Sequence, residues 1–557
     1  MSSSTSGKAY RIEEDPLCGR QLVASRKIYA GELIIDEPAL ITGPGFTKGS
    51  YFFTRNVEPS TDTGKLPQSI DFTQDGFLVC LVCCVNLNVT NRSNCPSCNL
   101  LLCNNEKCHA HSQHRQNECL VFPKIRQLWK SKSRSRKSFY RLILVIRGLF
   151  YKLNCPSKWD QIRMLQSQSE ALEKAGAGGF SDIQDVFRDL LWDTFAFSCL
   201  TQEGALSEIN GNFNKENEDN GESVLDAARH CLDVMTINAF SSFTDSYSRE
   251  GLFFLSSFMS HSCIINTDRQ IEASSSNSRD ISESRMVVRA SVDIEKDDPI
   301  TTTYLSLLYN TEERNRMLIT SWLFLCKCRR CQDSRTECGT FLSGVMCQEK
   351  LSRYCDLETE EKLSSLVCEN SCDLACKFNM EINYLRKVAE SRPKNLFDTD
   401  KLEDWLDQYD TGNIFHPNHS IFAHLKLFLI QYYGRTNEGM DSLTVDQLKR
   451  KLLYCHQILG IYNKVSPGIQ MCRGIILFEL WRTLQKLSDL QVPLQITYPL
   501  NLASDATPLM SMSFQETDKE VIKMEALNIL KYALSGTSEE AMAIYLQEDD
   551  SSIPITN

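Results

Sequence analysis

Cysteine placement constrains this chain more than any other feature of its sequence. Eight cysteines lie between Cys80 and Cys119 and nine between Cys326 and Cys376, out of 24 in 557 residues. The start, Met1-Ser-Ser-Ser-Thr5, has no apolar signal core, so an oxidising compartment and a disulfide framework are not expected. Closely spaced thiols in a reducing compartment point instead to thiolate metal sites, with zinc the best match.

The first cluster reads Cys80-x2-Cys83, Cys95-x2-Cys98, Cys103-x4-Cys108 and His114-x4-Cys119. A Cys-x2-Cys pair puts two thiolates on one tight turn, where both reach a zinc about 2.3 Å away. Eight ligands make two closed sites with no open position for a substrate. The segment has little apolar sequence, so metal must supply much of its folding energy, roughly 10–16 kcal/mol per small finger. Cys84 falls outside the pattern, and His109 and His111 stand as alternative ligands.

The rest of the chain carries an ordered series of modest motifs. Gly19-Arg20-Gln21-Leu22-Val23-Ala24 and Ile28 to Pro38 alternate β-branched residues around Gly31-Glu32, which predicts a two-stranded hairpin. Ser260-His261-Ser262-Cys263-Ile264-Ile265-Asn266 follows much later, then a strand-like run over Met286–Ile294 and Ile300-Thr-Thr-Thr-Tyr304. Thr311-Glu-Glu-Arg314 opens a helix that ends near Phe324, before Cys326-x-Cys328-x2-Cys331. That triple lacks the fourth ligand a structural zinc requires.

The first cluster resembles a MYND finger. The whole series resembles the SET- and MYND-domain protein-lysine methyltransferases of the arthropod type, over roughly residues 15–485. The resemblance implies an α+β fold: a β-rich SET core, interrupted by the finger and followed by a helical C-terminal region. Its divisions would be an N-terminal part of SET (1–50), the finger (80–119), a helical insert (120–240), core SET (241–310), a post-SET zinc region (311–340), a Cys-rich extension (341–376) and the helical region (377–557). It also implies interleaved ligands, Cys80, Cys83, Cys103 and Cys108 around one zinc and Cys95, Cys98, His114 and Cys119 around another. Cys263 would complete a third site with Cys326, Cys328 and Cys331. S-adenosylmethionine would be the methyl donor, with Tyr304 at the point of transfer. Arg20, Asn238, Ser257, Ser260, His261, Tyr304 and Phe324 would line the donor pocket.

Several positions depart from that pattern. Ser260 stands where the family usually has Asn, Ile265 where it has Pro, and Gln21 where it has a glycine of a Gly-x-Gly turn. Asp297-Asp298-Pro299 replaces Gly-Glu-Glu, and its proline limits strand pairing. A hydroxyl makes fewer hydrogen bonds than a carboxamide, and one lost bond costs roughly 0.5–1.5 kcal/mol. The rival expectation is therefore a weak or inactive adaptor or transcriptional co-regulator that keeps the scaffold.

At 557 residues the chain needs two to four domains or lobes. No apolar run reaches 18 residues, so no membrane span is expected, and the protein should be soluble and cytoplasmic, nuclear or both. The net charge of -11 opposes phosphate at long range, so direct nucleic-acid binding is not expected, and a monomer is. The basic run at 130–141 reads as a solvated loop or helix end, with a localisation signal or a DNA-contacting patch as the alternatives. Residues 205–223 read as an exposed linker. Cys347, Cys355, Cys368 and Cys372 offer a further zinc site or a set of buried thiols. From about residue 377 apolar residues recur at helical spacing, His416-Pro417-Asn418-His419 begins one helix, and Ser466-Pro467-Gly468 separates another pair. The acidic end after about 535 is expected to fray. A protein substrate or a proline-containing peptide is the partner the resemblance implies.

Overall fold

The computed structural model describes residues 8–16, 19–45, 78–88, 90–123, 136–174, 224–243, 248–273, 284–333, 336–346, 354–356, 367–368, 382–393, 395–410, 415–434, 439–493, 495–498, 510–513, 516–534 and 537–548. The expected linker at 205–223, most of the basic run, and Cys347 and Cys372 lie outside these residues.

Short strands build the first half. β1 (Tyr10–Asp15) pairs antiparallel with β2 (Gly19–Ala24). β3 (Leu33–Pro38) pairs instead with β13 (Ser284–Ala290), whose other neighbour is β12 (Thr267–Ala273). The hairpin predicted around Gly31 is therefore absent. Gly31 turns the chain at φ +85°, but its amide donates to Ala290 O (2.8 Å), and Ile28 bridges Ile294. The alternation was read correctly as strand; the partner lies some 250 residues away, where local pattern carries no information. Along β13, Met286, Val288 and Ala290 point into the core while Arg285, Val287 and Arg289 are half-buried, the period of two that a one-sided sheet requires.

β4 (Ile41–Pro44) pairs with β10 (Ser248–Leu252), which also pairs with β9 (Phe240–Phe243). Everything between Gly45 and Ser248 thus leaves and returns on neighbouring strands. That insertion holds two small hairpins, β5 (Leu78–Val79) with β6 (Asn86–Leu87) and β7 (Arg92–Asn94) with β8 (Leu101–Cys103). It continues into helices α1 (Arg136–Asn154), α2 (Pro156–Met164) and α3 (Val224–Asn238). The described part of the basic run opens α1, and its Phe139 and Tyr140 are buried. One continuous apolar core joins Ile35 and Ile41 of the sheets, Leu81 and Leu102 of the insertion, Leu144 of α1 and Met235 of α3.

β11 (Ser260–His261) runs parallel to β14 (Thr301–Thr302), placing Ser260 beside Thr301 and His261 beside Thr302. Helix α4 (Thr311–Trp322) starts with a reciprocal cap between Asn310 and Glu313. The second half stacks α5 (Ser420–Tyr432), α6 (Val445–Val465), α7 (Met471–Asp489), α8 (Glu516–Leu530) and α9 (Ser538–Glu548). Their cores hold Phe422, Leu452 and Ile476, then Trp481 and Leu530. Helix α9 corrects the expectation of fraying over 538–548, because Leu546 and Ala543 are buried against this stack; residues 549–557 lie outside the described residues. Two ion pairs lie inside it, Lys426 with Asp410 (2.7 Å) and Lys451 with Glu479 (2.6 Å).

The helical half is fastened to the sheets. Asp268 of β12 accepts from Met471 N (3.0 Å), and Gln270 donates to Tyr532 O (3.2 Å). Gly468, at φ +78°, comes so close to Ser291 that a Cβ would lie 2.0 Å from its carbonyl oxygen, so only glycine fits. No helix of the described residues is long and apolar enough to cross a membrane.

Candidate active site and metal centres

The structure gathers the ligand residues into three groups, Cys80/Cys83/Cys103/Cys108, Cys95/Cys98/His114/Cys119 and Cys263/Cys326/Cys328/Cys331, with ligand atoms within 4.8 Å of one another in each. His109 and His111 are not ligands; His109 Nε2 instead lies 2.8 Å from Ser93 Oγ. All of these cysteines are free thiols.

The spacing suits a metal. A tetrahedron with arms of about 2.3 Å has edges of about 3.8 Å, and replacing one sulfur with imidazole nitrogen shortens an edge to about 3.5 Å. Cys83 and Cys103 lie 3.7 Å apart, Cys95 and Cys119 3.7 Å, Cys263 and Cys331 3.5 Å, and Cys98 Sγ lies 3.6 Å from His114 Nε2. Each group therefore has the dimensions of a closed four-coordinate zinc site.

A buried polar relay supports the second group. His114 Nδ1 lies 3.1 Å from Glu118, leaving Nε2 for the metal. Glu118 in turn pairs with Arg147 of α1, which also donates to Thr42 O (2.6 Å) and Leu81 O (2.8 Å). Burial pushes the Glu118 carboxyl up, but Arg147 and His114 outweigh it and hold it below its ordinary value. One guanidinium, 1% exposed, thus joins a strand of the sheet, the loop carrying Cys80 and Cys83, and the ligand His114. Neither Glu118 nor Arg147 had been singled out from the sequence.

The third group ties the loop after β11 to the segment after α4. Arg314 Nη2 lies 3.6 Å from Cys331 Sγ, and Glu337 sits between Arg314 and Arg330, all three buried. Beside it, Tyr304 N donates to His261 Nδ1 (3.1 Å), which fixes the imidazole proton on Nε2, 3.3 Å from Cys263 Sγ. Burial pushes His261 down to about 4, so the ring is neutral. The Tyr304 hydroxyl donates to Met259 O (2.9 Å).

Leu323 adopts a left-handed conformation (φ 63°, ψ 30°) at the end of α4, and so turns Trp322 and Phe324 onto Tyr304, with ring centroids 5.4 and 6.4 Å away. A leucine held there costs of order 1–3 kcal/mol, and such strain clusters at functional sites. Trp322, which sequence reasoning missed, also donates from Nε1 to Ile237 O (3.0 Å).

The remaining expected donor-pocket residues have these partners. Asn238 spends both amide hydrogens, on Gln166 O (2.8 Å) and Val234 O (2.9 Å), leaving Oδ1 as an acceptor. Arg20 donates to Met164 O and lies over the Phe258 ring. Ser257 Oγ donates to Phe253 O (2.6 Å), and Ser260 Oγ donates to Gln21 Oε1 (3.0 Å). The two substituted positions thus bond to each other. For the other thiol set, the backbones of Cys355 and Cys368 pair across two short strands.

The SET-domain family model matches residues 19–305, more than half of the chain, and the chain belongs to the SET-domain family. It is 26% identical over 345 residues to SET domain-containing protein SmydA-8, isoform A, of Drosophila melanogaster, a match covering 61% of this chain and 60% of that protein. It is 28% identical over 234 residues to histone-lysine N-methyltransferase ASHR1 of Arabidopsis thaliana, covering 40% of this chain and 45% of that one. The matches therefore span three-fifths of the curated relatives or less. Among solved structures, the SET domain of LSMT bound to lysine and AdoHcy aligns with 98% of this chain and 88% of its own, at TM-score 0.31 and 9% identity.

Proposed function

We propose that this protein is a protein-lysine N-methyltransferase that uses S-adenosylmethionine, built on three structural zinc sites, two of them in a MYND finger. The observation that carries the reading is the setting of Tyr304. Its backbone is held by His261, its hydroxyl by Met259 O, and its ring by Trp322 and Phe324, packed against the cluster of Cys263 and Cys326.

The donor supplies an electrophilic methyl group on a sulfonium. The protein's task is to line up a neutral lysine amine with it, and positioning is most of such catalysis. Asn238 Oδ1, its amide hydrogens already spent, suits the ammonium of an amino-acid end. Gln21 brings a carboxamide to Ser260, and its Nε2 has no hydrogen-bond partner among the described residues. The aromatic walls exclude water from the place where the amine must lose its proton. Zinc, where bound, keeps the segment carrying Trp322 and Phe324 folded against the loop carrying His261.

One observation favours the adaptor reading. The 164–166 segment accepts from both Arg20 and Asn238, so two donor-pocket residues are already engaged by protein. Calorimetric titration of zinc-loaded protein with S-adenosylhomocysteine separates the two readings. Micromolar binding, with Tyr304→Phe binding equally but transferring no methyl group, supports the enzyme. No binding by well-folded protein overturns it and leaves the adaptor.

A further inference from the structure

Along β12, Thr267, Arg269 and Ile271 share one face, opposite Asp268 and Gln270. That face looks toward the strand pair carrying Ser260 and His261. Thr267 Oγ1 donates to Thr301 O (2.7 Å), and Ile271 is in the core. The Arg269 guanidinium lies over the Phe240 ring, 5.1 Å from its centre. Phe240 follows the end of α3, whose Ile237 O accepts from Trp322, and Trp322 leans on Tyr304. Arg269 thus stacks on the segment that follows α3, the same helix end that holds Trp322 against Tyr304, and the Tyr304 phenol is within electrostatic reach of the guanidinium.

Arg269 is unlike the other arginines buried in this half. Arg147, Arg249, Arg314 and Arg330 all donate hydrogen bonds to the protein. The guanidinium of Arg269, half-buried, makes no hydrogen bond or ion pair among the described residues, though the Asp268 charge acts on it. Its neighbour Asp268 faces away and accepts from Met471 N and Gln270. A guanidinium drawn partly out of water without a partner is costly, and a planar cation lying on an aromatic face keeps its in-plane donors free for a carboxylate.

We propose that Arg269 determines substrate specificity, binding the carboxylate of an acidic residue close to the target lysine. The inference rests on the methyl-transfer reading, and the experiment separates the two. A panel of peptides with one central lysine, flanked by Glu, Gln or Lys, is assayed for methyl transfer from labelled S-adenosylmethionine. The same peptides are measured by fluorescence anisotropy on protein loaded with S-adenosylhomocysteine.

The Glu-flanked peptide is expected to be preferred by about tenfold, the value of one charge-assisted contact. Arg269→Gln abolishes the preference with melting and S-adenosylhomocysteine binding unchanged, and Arg269→Lys keeps part of it. A binding preference that depends on Arg269, without any transfer, overturns the enzyme reading and upholds this one. No preference in the native protein, a preference that survives Arg269→Gln, or no peptide binding at all overturns the proposal.

Discussion

Replacing Glu118 with glutamine keeps the shape of the relay behind His114 and removes its charge. Glutamine Oε1 still accepts from His114 Nδ1 and from Arg147 Nη2, but Arg147, 1% exposed, loses its counter-ion and the acceptor of its Nε, keeping the Thr42 and Leu81 carbonyls. Breaking a buried pair from one side typically costs ~3–5 kcal/mol, and the retained amide bond puts the expected loss at the lower end. In a lobe of this size ~3 kcal/mol lowers the melting temperature by roughly 6–12 °C. The histidine also becomes a weaker ligand, since such outer partners typically change metal affinity about 10–100-fold. Zinc content followed against a graded chelator, with melting in parallel, reads both effects. The site with His114 should empty first, at a lower chelator concentration than in the native protein, while the all-cysteine sites hold. Melting and zinc release that match the native protein would refute the claim that this carboxylate links metal to core.

Other outcomes follow from the same geometry. Cys263→Ser should lower zinc content from three per chain to two and abolish S-adenosylhomocysteine binding, because it frees the segment carrying Phe324. Ser260→Ala should weaken that binding by up to about tenfold if the Gln21 carboxamide is positioned through this hydroxyl. Burial pushes the Glu337 carboxyl up, but Arg314 and Arg330 pull it further, to below its ordinary 4.5. Its stabilising effect is therefore complete above about pH 4.5 and lost as pH falls through the lower folded-state value. Glu337→Gln should melt well below the native protein at pH 7, and the gap should narrow below pH 4.5.

The thiol clusters were the most legible part of the sequence, because a Cys-x2-Cys turn states its chemistry within four residues. Interleaving the finger ligands, and recruiting Cys263 to the later triple, needed the family resemblance. The helical second half was readable from its spacing, including the turn at Ser466-Pro467-Gly468. What was lost depends on distance along the chain. The partner of β3 lies beyond the whole insertion, Gln21 and Ser260 are 239 positions apart, and Arg147 is 29 from Glu118. Each residue is unremarkable alone, and only the fold makes the pair. Leu323 was hidden differently, since nothing in the sequence marks a leucine as left-handed.

The pairing of β4 with β10 has a consequence for how the chain reaches this state. About 200 residues separate the two strands, and closing a loop that long costs on the order of 2.5 kcal/mol more than closing a ten-residue turn. That cost falls on the search for the native pairing, which is slow when contacts are distant. The thiol pairs of the insertion lie close in sequence, so metal, where bound, would supply free energy there before any sheet exists. Once formed, that insertion presents Leu81 and Leu102 to α1 and draws Thr42 in through Arg147. Where zinc fills these sites, its supply during synthesis would then set how fast the sheet assembles, and a chain made in metal-poor cells would fail at the pairing of β4 and β10, where Arg249 of β10 donates to the Cys83 carbonyl.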